Sequence, residues 1–127
     1  MADFRTPLGR VYGLGSAKDG TGHFIRQRVS AVAMAVLAIW FVVAMIGLAG
    51  AGHAEATAWL ARPVNAIPML LLVIAAFYHA RLGLQVVIED YVHGEAAKMS
   101  LLMLVTFATF GLGVACVFSI LKVALGA

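Results

Sequence analysis

FYHARLGLQVVIEDYVHG, from Phe77 to Gly94, sets a histidine, an arginine and an acidic pair in an otherwise apolar stretch. Three of its residues could do chemistry. The neutral imidazole of His79 is a good axial ligand for haem iron, or it can hydrogen-bond a neighbouring helix. The phenol of Tyr91 can donate a hydrogen bond to an acceptor such as a quinone carbonyl, or serve as an ordinary interfacial aromatic. The carboxylate of Asp90 can hold a nearby arginine, pass protons, or simply be solvated. On position alone both kinds of role stand for each residue.

Helical geometry relates these residues to one another. Asp90 follows His79 by eleven positions, which on an α-helix is about 20° away from the same face and ~16 Å along the axis. Gly83 is one turn on, about 40° round. His79, Gly83 and Asp90 therefore share a stripe. A glycine beside the imidazole removes bulk and lets a flat macrocycle or another helix come close. Arg81 falls about 200° from His79, so it is expected to snorkel towards the cytoplasm or to pair with another subunit. Glu89 is too far from Arg81 for an i,i+4 ion pair.

The elements that carry these residues follow from where charge is absent. Of 127 residues 63% are hydrophobic, and nine Lys/Arg and six Asp/Glu are unevenly spread. None of these charges occurs from Val29 to Ala54, from Pro63 to Ala80, or from Met99 to Leu121. Each gap approaches or exceeds the ~18–20 residues that a helix needs to cross a bilayer. A soluble core could not use three such segments, because they have no polar face for water. The expected fold is an all-α membrane protein with three transmembrane helices, about 28–48, 64–89 and 98–122, after a polar tail over 1–27. The tail segment Gly13–Gly22 is glycine-rich and is expected to be irregular. Ala49–Trp59 reads as a connection of small residues with room for a short interfacial helix.

Net charge +3 does not argue for nucleic acid, since the basic residues sit at span edges without a basic–aromatic array. Lone Cys116 makes neither an intrachain disulfide nor a cysteine zinc site and reads as packing. The first 28 residues lack the apolar run of a signal peptide, and acidic residues and glycines argue against a transit peptide. His23, His53 and His93 read as exposed tail or loop residues with no metal-site spacing. Five of the nine Lys/Arg lie in the tail: Arg5, Arg10, Lys18, Arg26 and Arg28. The basic excess marks the cytoplasmic side, so a cytoplasmic N-terminus and a periplasmic C-terminus are expected. Arg28 is either a topology determinant or a fork for an anionic group at the membrane surface. Ser30, just inside the span, could bond the backbone or a ligand.

The pattern H-x-x-x-G-x-x-x-V-x-x-D-Y, His79 to Tyr91, closely resembles the hydrophobic membrane-anchor subunits of succinate dehydrogenase. HFIRQRVSAVAMAVLAIWFV, His23 to Val42, is similar to that family's first helix, and the tail looks like that of alphaproteobacterial members. The resemblance spans nearly the whole chain. It implies one half of a heterodimeric anchor bundle, paired with a cytochrome b556 anchor subunit and sharing one haem b with it. It further implies docking of an iron–sulfur subunit and a flavoprotein, which carry the clusters and the FAD, on the cytoplasmic face of the inner membrane. Ubiquinone would be the electron acceptor. Under the resemblance, the haem-iron ligand falls on His79, the quinone pocket on Asp90 and Tyr91, and the haem-propionate contact on Arg28. Some relatives carry an aromatic residue at Arg81, which is left without a role. The second axial ligand is expected from the partner anchor. A fumarate reductase anchor and a haem-free membrane scaffold are the alternatives.

Overall fold

The computed structural model describes residues 15–126 of the chain; Arg5 and Arg10 lie outside that range. The described residues form four α-helices and no strand: α1 (Gly15–Gly47), α2 (His53–Leu60), α3 (Pro63–Tyr91) and α4 (Glu95–Ala124). Three of them are long and apolar enough to span a bilayer, over Thr21–Gly47, Pro63–Tyr91 and Glu95–Ala124. The all-α, three-span architecture is the one that the charge gaps predict.

Helix ends differ from the sequence reading where that reading stopped at polar residues. Gly15–Gly22, expected to be irregular, belongs to α1. Nucleation is the costly step in helix formation, and each further turn adds a bond per residue fixed. A long helix can therefore propagate through glycines that would not start one. At the other ends, charged residues suit a helix leaving the hydrocarbon. Glu95 occupies the first turn of α4 and Lys122 its last turn, each the sign that the helix dipole favours.

The short connections have identifiable locks. The α1–α2 turn uses Gly50 at φ 85°, a left-handed conformation that glycine adopts without steric cost. The Glu55 carboxylate accepts from the Gly52 N–H at 3.2 Å, closing the start of α2. Trp40 of α1 stacks on Trp59 of α2 with ring centroids 6.0 Å apart. The Asn65 amide donates to the Trp59 carbonyl at 2.8 Å, tying α2 to the start of α3. Pro63 then opens α3 at its first helical position, where a missing N–H is harmless.

Helix α3 is the centre of the bundle, with α1 and α4 packed on it. Both neighbours run antiparallel to it. Along α1, Ser30 meets His79 while the earlier Gln27 meets the later Gly83. Along α4, Gly113 meets Phe77 and Lys98 meets Glu89. A Cβ on Gly113 would lie 3.5 Å from the Phe77 ring, an ordinary contact, so a small residue fits between α4 and α3 here, as in the packing expected of membrane helices. Burial is slight: among the described residues only Ala66, Leu82, Ile88 and Ser30 are buried. Phe107, Phe110 and Ile39, by contrast, face outwards. That inversion suits a lipid solvent, in which the helices satisfy their own backbone and apolar side chains may stay outside.

Candidate functional site

His79 lies half-buried on the α1-facing side of α3. Its Nδ1 is 3.0 Å from Ser30 Oγ on α1, and its Nε2 is 3.5 Å from the Gln27 amide nitrogen. The first distance is a good hydrogen bond; the second is long for one. Ser30 is 7% exposed, the only buried polar residue among those described, and its hydroxyl also contacts the Gln27 carbonyl oxygen at 3.0 Å. An imidazole at lipid depth needs such partners, because an unsatisfied polar group there costs ~2–7 kcal/mol.

Gly83 stands one turn beyond His79 on the same face. A Cβ placed there would meet the Gln27 amide nitrogen at 3.7 Å, an ordinary contact. An alanine would fit this position, but a larger side chain would displace Gln27. A small residue thus suits this position, where the α1 polar face lies against α3 beside His79.

Two buried polar atoms of α1 have no hydrogen-bond partner among the described residues: Gln27 Oε1 and His23 Nε2. His23 corrects the sequence reading, which took it as an exposed tail residue. It lies inside the first span, because α1 starts well before Arg28. His23, Gln27 and Ser30 follow i, i+4, i+7 spacing and therefore share the α1 face turned towards His79. Neither Gln27 nor His23 was singled out from sequence. That helical spacing of polar residues was the signal that could have found them.

The remaining expected residues lie apart. Arg28 is exposed and about 160° round the helix from Ser30; its guanidinium lies 5.0 Å over the Phe24 ring. This cation–π contact within α1 holds the fork near the first turns of the span without bringing it to His79. Asp90 is exposed, and Tyr91, the last residue of α3, is 78% exposed. The pair is about 16 Å from His79 along the helix axis. The structure therefore unites His79 with Ser30 and leaves Arg28, Asp90 and Tyr91 as separate surface groups. Arg81, on the other side of α3, donates from Nε to Thr106 Oγ1 of α4 at 3.4 Å. It borders a groove of about 470 Å³ between α3 and α4 whose walls include Phe77, Phe107 and Phe110. A second groove of about 550 Å³, between α1 and α3, has Ser30 on its wall. His79 lines neither groove.

The donor set limits what could bind at His79. No group of three or more His, Cys, Asp or Glu side chains that could hold a metal ion occurs among the described residues. A single imidazole cannot hold a bare ion by itself. It fits a metal that arrives with most of its donors already in place, as in a porphyrin. The half-open position of the ring likewise suits a group shared with another chain.

Residues 2–115 match the family described as succinate dehydrogenase/fumarate reductase transmembrane subunit. The chain is 36% identical over 104 residues to the succinate dehydrogenase hydrophobic membrane anchor subunit of Rickettsia bellii, covering 81% of this chain and 82% of that relative. It is 33% identical over 122 residues to the protein of the same description from Paracoccus denitrificans, covering 96% and 94%. The resemblance drawn from the His79–Tyr91 motif is borne out by these matches.

Proposed function

This chain belongs to the succinate dehydrogenase/fumarate reductase transmembrane subunit family, and from that premise we propose that it anchors a succinate:ubiquinone oxidoreductase in the membrane. The observation that carries the reading is His79: an imidazole at lipid depth, bonded through Nδ1 to a buried serine and placed in the H-x-x-x-G-x-x-x-V-x-x-D-Y motif. His79 would hold the iron of a haem b, and a partner anchor of the cytochrome b556 type would supply the second protein ligand. His23 is the other histidine of the described spans, seven residues before Ser30 and about 10 Å along α1. The haem, when bound, supplies one-electron chemistry. Binding at Nε2 requires the Gln27 amide to move off, and its unpartnered Oε1 shows that little holds it there.

Tyr91 and Asp90 form part of the ubiquinone pocket. The phenol, at the end of α3 and open to its surroundings, donates a hydrogen bond to a quinone carbonyl, and the carboxylate orders neighbouring donors. Arg28 supplies a cation for a haem propionate; its exposure leaves the fork available. The flavoprotein and iron–sulfur subunits, with FAD and clusters, dock on the side that bears Arg26, Arg28, Asp90 and Tyr91. That side is the cytoplasmic one by its basic excess, which leaves the C-terminus in the periplasm. Succinate oxidation is preferred over fumarate reduction as the working direction because the named relatives are succinate dehydrogenase subunits.

Purification through a tag on this chain, from detergent-solubilised membranes, tests the proposal. Co-purifying flavin, iron–sulfur clusters and a reduced b-type spectrum are the expected result. A chain that purifies with its partners but without haem would make it a structural scaffold.

A further inference from the structure

We propose that Ser30 is a positioning residue for His79, fixing the imidazole with its proton on Nδ1 and its lone pair on Nε2. The inference rests on the ligand reading above and concerns what makes that nitrogen available.

The number of protons available decides the tautomer. A serine hydroxyl has one proton to donate and can accept on its oxygen. Ser30 Oγ has two partners at 3.0 Å, the Gln27 carbonyl oxygen and His79 Nδ1. A carbonyl oxygen only accepts, so the hydroxyl proton goes there. Nδ1 then faces a lone pair of the serine and must carry a proton of its own. A neutral imidazole has one N–H, so Nε2 is left bare. Ser30 is 7% exposed, and water is not at hand to replace it. The nitrogen of the Gln27 amide, a donor, is the atom that approaches Nε2, at 3.5 Å; that is the polarity a bare Nε2 asks for. The opposite assignment, with Ser30 donating to Nδ1, puts the proton on Nε2 and removes the one lone pair that could reach a metal.

Hydrogen bonding at the distal ring nitrogen also makes the ligating nitrogen more basic and fixes the plane of the ring. Ser30 therefore does two things through His79. It selects the ligating tautomer, and it strengthens donation towards the more oxidised metal, which lowers the reduction potential.

The test uses the intact complex with Ser30→Ala and Ser30→Thr. Ser30→Ala is expected to raise the haem midpoint potential and to weaken haem retention during extraction by ~10-fold or more. Ser30→Thr keeps an oxygen at the same position and restores both. Pulsed EPR of the remote imidazole nitrogen in the unaltered complex should find an exchangeable proton on it, and this holds whether or not the alanine variant assembles. An unchanged midpoint and retention in Ser30→Ala, or a remote nitrogen without a proton, overturns the proposal. Failure of the underlying reading looks different: the haem then survives His79→Ala. A haem that is lost in His79→Ala but indifferent to Ser30→Ala removes only the positioning role.

Discussion

Ser30 Oγ and His79 Nδ1 meet at 3.0 Å across a separation of 49 residues, joining the first and second membrane spans. This contact sets the register of α1 against α3 and places the one lipid-depth imidazole of α3 on a buried hydroxyl. Its energetic weight exceeds that of a surface hydrogen bond, because an imidazole deprived of partners in hydrocarbon has no water to turn to.

Replacing His79 with alanine should abolish the reduced b-type spectrum in the purified complex, or shift it, while flavin content stays near the unaltered level. Absorbance of dithionite-reduced against oxidised samples, normalised to flavin, measures this. An unaltered spectrum would place the haem elsewhere.

Tyr91→Phe removes one donor from an exposed position at the end of α3, with little effect on packing. Succinate-driven quinone reduction should fall about 5- to 30-fold, since a hydrogen bond lost at a binding or reacting carbonyl costs about 1–2 kcal/mol. Succinate oxidation with an artificial acceptor should remain. Parallel loss of both activities would point to failed assembly.

Gly83 separates two substitutions cleanly. Ala at this position makes only ordinary contact with Gln27 and should leave haem content unchanged. Leu should push α1 off α3, at a cost of about 1–3 kcal/mol, and lower both the thermal stability of the detergent-solubilised complex and its haem content. Equal behaviour of the two variants would remove Gly83 from the site.

Arg81→Leu should leave the haem spectrum and quinone reduction unaltered. The guanidinium bonds Thr106 on α4, on the side of α3 away from Ser30 and Gln27. A changed spectrum would mean that the α3–α4 groove communicates with His79.

What could be read from the sequence divides by the distance over which the physics acts. The spans were legible because hydrocarbon excludes charge locally, and the gaps from Val29, Pro63 and Met99 show it directly. The shared stripe of His79, Gly83 and Asp90 was legible because helical arithmetic needs one helix only. Ser30's partner was not legible, because it depends on the register between α1 and α3, which no local pattern encodes. His23 was misread for a related reason. Its place inside the span follows from a helix that extends through a glycine-rich stretch, and helix propagation depends on what lies further along. The i, i+4, i+7 spacing of His23, Gln27 and Ser30 was visible, but it acquires meaning only opposite a second polar group.

The near absence of a buried interior bears on how the cell handles this polypeptide. Ala66, Leu82, Ile88 and Ser30 are the whole enclosed set among the described residues, and lipid gives apolar side chains no reason to prefer one another. A surplus copy, made without its companions, would have loosely joined helices and would be easy prey for membrane-embedded proteases. Stoichiometry would then be enforced by clearance of the unassembled excess, with the finished complex sheltering whatever copies it has captured.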